Sequence, residues 1–243
     1  MVIEKLTKMK KQTNFTPDTI IKGNNTPVEW LIFDQLAEYE QTLVTMRETA
    51  RQIAIGEKPE QVWLLEHPPL YTSGTSAKLS DLLQPKRFPV FSAGRGGQFT
   101  YHGPGQRIAY VMLDLRQRGR DIKNLITHLE GWIIDTLADF NISAKRVPGR
   151  VGVWVEGAEF GSKDLRKIAA IGVRVSKWVS FHGISINISP DLSHYEGIIP
   201  CGISDHGVTS FEDIGQLAVM AEIDIALRKN FEQHFGPTLS HKS

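Results

Sequence analysis

The chain has 243 residues, 41% hydrophobic and 23% charged, an ordinary globular composition with length enough for a sizeable core. Lys and Arg number 28 against 27 Asp and Glu, so the net charge of +1 offers no electrostatic footprint for nucleic acid, and no apolar run approaches a membrane span. The single cysteine, Cys201, excludes an intrachain disulfide and a thiolate metal site, and it fits a reducing, cytoplasmic setting.

Residues 1–26 are polar, lysine-rich and without period, and are expected to form a tail ahead of one domain over 27–240. They lack the apolar centre of a secretory signal. Residues 28–33 read as a strand. A helix is expected from Asp34, because Leu36, Tyr39, Leu43, Met46, Ala50 and Ile53 recur at helical spacing before Gly56 and Pro59. The apolar run 62–66 reads as a buried strand stopped by Pro68 and Pro69. Residues 71–77 are expected to be loop, 78–88 irregular, and 89–92 a short strand.

The stretch 95–106 follows, Arg-Gly-Gly-Gln-Phe-Thr-Tyr-His-Gly-Pro-Gly-Gln. Gly96 and Gly97 suit a loop that lets a ligand close to the main chain. Gln98, Phe99, Thr100, Tyr101 and His102 form a β-prone run. Gly103-Pro104-Gly105-Gln106 carries Pro and Gly where a type II turn wants them. Residues 107–115 are apolar on both alternating faces, as in a central strand. Asp121 is placed to cap a helix whose stripe runs Ile122, Leu125, Ile126, Leu129, Ile133, Leu137 and Phe140. Residues 150–156 and 167–175 read as strands joined across 157–166, and 178–188 as a further strand containing His182 and Gly183. Ser210 and Asp213 have the spacing of a capping box. A last helix carries Met220, Ile223, Leu227, Phe231 and Phe235 and stops at Gly236-Pro237. Helices mixed with adjacent strands point to one α+β or α/β domain with a mixed sheet.

Familiar site patterns are absent. The glycines lack the third position of a dinucleotide fingerprint, residues 157–163 are one short of a phosphate loop, and 202–207 is one too long for a nucleophile elbow. The eight histidines contain no His-Glu-x-x-His pair, so no metal is expected. Taken alone, Cys201 is more often a buried small hydrophobe, and Lys167 a solvated lysine at a strand start.

Several motifs in order change that weighting. Arg95, Gly96, Gly97, Thr100, His102, Pro104, Gly105 and Gln106, with Tyr110 after them, resemble the central signature of the lipoyl(octanoyl) transferases. Leu65-Glu66-His67-Pro68-Pro69, then Tyr71-Thr72 and Gly74, resemble its N-terminal signature. Residues 149–154, 167–173, His182-Gly183 with Asn187, 200–203 and 207–210 are similar to its later motifs, although Ile184-Ser185 stands where many members have an apolar residue and alanine.

The resemblance implies the catalytic-domain fold shared by biotin and lipoate protein ligases. It also implies transfer of an octanoyl group to a lysine amine. The donor would be octanoyl-acyl carrier protein. The acceptors would be lipoyl domains of 2-oxoacid dehydrogenase complexes and the glycine cleavage H protein. It assigns Cys201 as the nucleophile of an acyl-thioester and Lys167 as the amine paired with that thiol. Acyl-binding segments fall on Arg95, Gly96, Gly97, Gln98, Phe99, Thr100, Tyr101 and His102, on Ala170, Ile171 and Gly172, and on Gly183, Ile184 and Ser185.

The chemistry is self-consistent. Thioester to thioester costs little, thioester to amide runs downhill, and no nucleotide or other cofactor is required. A thiol of reference pKa about 8.5 attacks only as thiolate, which a neighbouring ammonium favours. An acceptor lysine of reference pKa about 10.4 must shed a proton first. Two alternatives stay open at this point: an ATP-dependent lipoate or biotin protein ligase of the same fold, and a non-catalytic acyl-binding module.

Overall fold

A computed structural model describes residues 26–156, 164–199 and 207–240. The expected tail up to residue 25, most of the 157–166 connection and Cys201 lie outside the described residues. The strands are β1 (Val28–Ile32), β2 (Gln61–Leu65), β3 (Leu70–Ser73), β4 (Val90–Ser92), β5 (Phe99–His102), β6 (Gln106–Met112), β7 (Ala144–Val147), β8 (Arg150–Glu156), β9 (Leu165–Ser176), β10 (Val179–Asn187) and β11 (Thr238–Ser240). The helices are α1 (Tyr39–Ala54), α2 (Ile122–Asp139) and α3 (Met220–Phe235).

Eight strands form one mixed sheet in the order β11-β1-β2-β6-β10-β9-β8-β7, parallel where β1 meets β2 and β11 and antiparallel elsewhere. A second sheet has the order β4-β3-β5. The large sheet is buried on both faces, which is why β2 and β6 read as continuous apolar runs. Val62, Leu64, Ala109 and Val111 pack with Trp132, Ile133, Leu227 and Phe231 of α2 and α3. The alternate residues Trp63, Leu65, Ile108 and Tyr110 pack with Leu43, Met46 and Ile53 of α1. Burying one such side chain stabilises by roughly 1.5–3 kcal/mol, so these two layers hold the domain together.

Most expected elements form where the pattern places them. Asp121 caps α2, its carboxylate accepting the Asn124 amide. Gly105 has φ +81° and Gln106 N donates to Gly103 O at 3.1 Å, as a type II turn requires. Three expectations are corrected, and two strands are added that the sequence did not mark. The first helix begins at Tyr39, not Asp34: Ala37 is held extended by its amide to Glu66 O, and Leu36 is exposed. Residues 71–73 are strand, not loop, because β3 has β4 and β5 to pair with. Strands β7 and β11 carry no apolar alternation: Lys145 and Arg146 blunt one sheet edge, and β11 is three residues long. Ser210 does bond the Asp213 amide at 3.0 Å, but only one turn follows. The Asp213 carboxylate instead accepts from Thr209 and pairs with Arg166, and α3 starts at Met220.

Candidate functional site

Strands β9 and β10 lay the floor of a cleft. Ala170 is the ladder partner of Ser185, Ile171 of Ile184 and Gly172 of Gly183, so two segments singled out separately in the sequence are cross-strand neighbours. On the other side of β10, Gly183 pairs with Tyr110 and Ser185 with Ile108. The third segment, 95–102, comes over this floor. Gly96 N donates to Val173 O at 3.1 Å, and a Cβ on Gly172 would stand 2.8 Å from Arg95 Cδ. The approach therefore requires glycine there.

These segments enclose a small cleft that opens to solvent. Arg95, Gly97, Gln98, Phe99, Thr100, His102, Ala170, Ile171, Gly172, Gly183, Ile184 and Ser185 line it. Two residues of the expected set do not. Gly96 anchors the loop, and Tyr101 is buried away from the cleft, its hydroxyl 2.8 Å from His194 Nδ1. Four lining residues outside that set are Tyr39, Ile108, Tyr110 and His182.

Arg95 is built into the wall. Its Nη1 donates to Gly96 O and Gln98 O, and its Nη2 to Thr72 O and Thr72 Oγ1 at 2.7 Å. His102 Nδ1 donates to Gln106 Oε1 at 2.7 Å. That direction is fixed because Gln106 Nε2 donates to Tyr101 O and to Asn187 Oδ1, whose own amide nitrogen donates to Thr209 O. His67 Nδ1 donates to Ala37 O, so its Nε2 accepts from Tyr110 Oη at 2.7 Å. The Glu66-His67 pair thus ties the entry of α1 and, through Gly105 N, the glycine turn to the cleft.

Burial keeps these imidazoles neutral. Desolvation pushes His102 and His182 down to about 3, helped by the nearby Arg95 charge, and His67 to about 4 against its bond to Ala37. Burial likewise pushes Tyr39 up to about 12 and Tyr110 well above its ordinary value. His182 has φ +59°, an uncommon conformation for a residue with a Cβ. One of its ring nitrogens bonds Ala93 O, while Nε2 is buried with no partner among the described residues. The cleft is therefore floored mainly by small and apolar residues, with neutral imidazoles and phenols and the Arg95 guanidinium in its walls.

Lys167 lies on β9, three positions before Ala170, and is 7% exposed. Its Nζ donates to Val151 O at 3.1 Å and sits 4.7 Å from the Trp154 ring centre. Its backbone pairs in parallel with residues 207–209: Lys167 N donates to Gly207 O, and Thr209 N to Lys167 O. On the other flank of the 200–206 segment, Ile199 N donates to Asp81 O at 2.7 Å. No group of three His, Cys, Asp or Glu side chains among the described residues could hold a metal ion. None of the described helices is long and apolar enough to cross a membrane.

A mixed sheet faced by α1 on one side and by α2 and α3 on the other, with a cleft over two adjoining strands, defines the class. Residues 38–232 match the family model of the lipoyl protein ligase A/B catalytic domain. The fold matches a solved lipoate-protein ligase A bound with ATP, with a TM-score of 0.69 and 14% identity over 90% of each chain. Among curated proteins, an octanoyltransferase of Bartonella quintana is 60% identical over 88% of this chain and 90% of its own. One of Dinoroseobacter shibae is 56% identical over 86% and 98%. The chain belongs to the octanoyltransferases of the lipoyl protein ligase A/B family.

Proposed function

We propose that this enzyme moves an octanoyl group from octanoyl-acyl carrier protein to a lysine amine of a lipoyl domain through an acyl-Cys201 thioester. The Cys201 thiolate attacks the donor carbonyl, the carrier's C–S bond breaks, and the released thiol takes a proton. The acceptor amine then attacks the acyl-cysteine. Its C–S bond breaks, an amide forms, and the amine's proton leaves. Lys167 stabilises the thiolate in the first half and handles the proton in the second. Arg95, Gly97, Gln98, Phe99, Thr100, His102, Ala170–Gly172 and Gly183–Ser185 hold the acyl chain.

One observation carries the reading: three sequence-distant segments converge on one cleft, and Lys167 leads the same strand that floors it. Its backbone bond to Gly207 also ties it to the residues that follow the 200–206 segment. Incubation with octanoyl-acyl carrier protein without ATP, read by intact mass, should give one octanoyl adduct that is lost in Cys201→Ala. Lys167→Ala should lower kcat far more than it raises KM for the donor. An unmodified protein that acylates a lipoyl domain only with ATP would overturn the mechanism.

A further inference from the structure

The β8–β9 ladder is irregular beside Lys167. Trp154 pairs with Lys167 and Val153 with Ala169, so Ile168 has no partner on β8 and forms a bulge. The β7–β8 ladder slips over the same stretch, between Lys145 and Val147. Two coincident slips leave the Gly152 amide displaced from both ladders, and a buried amide needs an acceptor. A side chain from another layer supplies it: Glu130 Oε1 of α2 accepts Gly152 N at 3.1 Å. Glu130 is buried, and its Oε2 pairs with Arg146 Nε at 3.2 Å.

The segment so held is what Lys167 rests on. Gly152 has φ +120°, and a Cβ there would stand 3.2 Å from Lys167 Cε and 3.4 Å from its Nζ. The lysine side chain therefore crosses directly over the Gly152 α-carbon. Val151 O, one residue away, accepts from Nζ, and the Trp154 ring, two residues away, faces the ammonium. Burial raises the Glu130 carboxyl above its ordinary range, and the Lys167 charge is among the groups that oppose this.

We propose that Glu130 is a positioning residue for Lys167: by holding the displaced Gly152 amide it keeps the Val151 carbonyl and the Trp154 face as a cradle for the ammonium. The proposal rests on the reading that Lys167 works in the transfer. The charged groups around the lysine are Glu130 from α2, backed by Arg146 of β7, and the Arg166–Asp213 pair flanking it in sequence and space. Glu130 touches no reacting atom. It acts through main chain, which is why a change there should appear in kcat and not in donor binding.

The test reads position and turnover separately. In a lysine Cε–Hε NMR spectrum, the Lys167 signal (assigned by its loss in Lys167→Arg) should lie upfield of the other lysines, shielded by the Trp154 ring. Glu130→Ala should move it back towards the bulk and lower kcat about tenfold with donor KM nearly unchanged, the scale of one lost contact to a charged group. Glu130→Gln keeps an oxygen for Gly152 and should retain both signal and most of the turnover. Trp154→Phe should likewise keep the signal upfield. Thermal melts of each variant exclude global unfolding, and the Gln and Phe variants keep the test decisive if Glu130→Ala does not fold. An unmoved signal and unchanged kcat in Glu130→Ala would overturn the proposal. A signal that moves in Glu130→Ala, together with full activity in Lys167→Ala, would uphold the cradle and remove Lys167 from the transfer.

Discussion

Both terminal nitrogens of Arg95 are engaged by the protein itself, at two carbonyls of its own loop and at Thr72 of β3. A lysine presents one point charge where this site uses a planar fork. Arg95→Lys should therefore loosen the 95–98 loop, at a cost of roughly 1.5–3 kcal/mol for the bonds to charge. A lowered Tm together with a raised KM for the acyl donor would check this, with kcat holding if the loop only binds. The sequence marked Arg95 as a binding residue. That its guanidinium is consumed as scaffold was not legible, because Thr72 lies 23 positions away. The same holds for Glu130, which sits inside an apolar helical stripe and means nothing until Gly152 is seen above it. His182 was legible as a residue beside a bend, but its unpartnered Nε2 is a property of the packed state.

At the level of elements, the sequence was legible wherever period or punctuation was strong. The runs at β2, β6 and β10 and the capped stripe of α2 need only their own residues. The elements that escaped notice, β3, β7 and β11, exist because a partner strand offers a ladder, which local pattern does not record. The start of α1 was misplaced for a similar reason, since Glu66 and His67 hold the backbone at Ala37 from outside the helix. The convergence of β9, β10 and the glycine loop makes a sharp demand on Gly172. Gly172→Ala should push its methyl into Arg95 and the Gly96 carbonyl, 2.8 and 3.3 Å from where that methyl must stand. The expected outcome is a protein that folds, with weakened acyl-donor binding seen as a higher KM. Unchanged KM would mean that the loop has room to lift.

For the molecule as a whole, the neutral histidines set an acid limit. His67, His102 and His182 titrate in the fold at about 4, 3 and 3, against about 6.5 when unfolded. Between those values the unfolded chain binds more protons. Stability is thus fully present above pH 6.5 and is lost as pH falls, each group costing up to about 1.4 kcal/mol per pH unit. Asp224 works in the opposite sense: burial raises it to about 6 against the Arg107 charge, so acidification from pH 6 to 4 favours the fold and offsets one histidine. The net slope is then about 3 kcal/mol per pH unit over that range. Circular-dichroism melts should give a flat Tm from pH 6.5 to 8 and a steep fall below 6. A Tm that holds down to pH 4 would contradict the buried-neutral assignment.

The unpaired residue at Ile168 has one more effect, and it concerns parity. Along a regular strand, side chains two apart share a side, so Lys167 would point with Ala169 and Ile171 into the hydrocarbon under α2 and α3. The extra residue shifts the count by one. Lys167 is set opposite Trp154 and joins the side of Ala170 and Gly172, where the cleft opens. Strict alternation through Ile168, as an added β8 residue pairing with it would impose, would turn the ammonium into an oily interior that has no place for it. Whether this sheet sets Lys167 on its cleft side or in its hydrocarbon is decided by whether a residue count is odd or even.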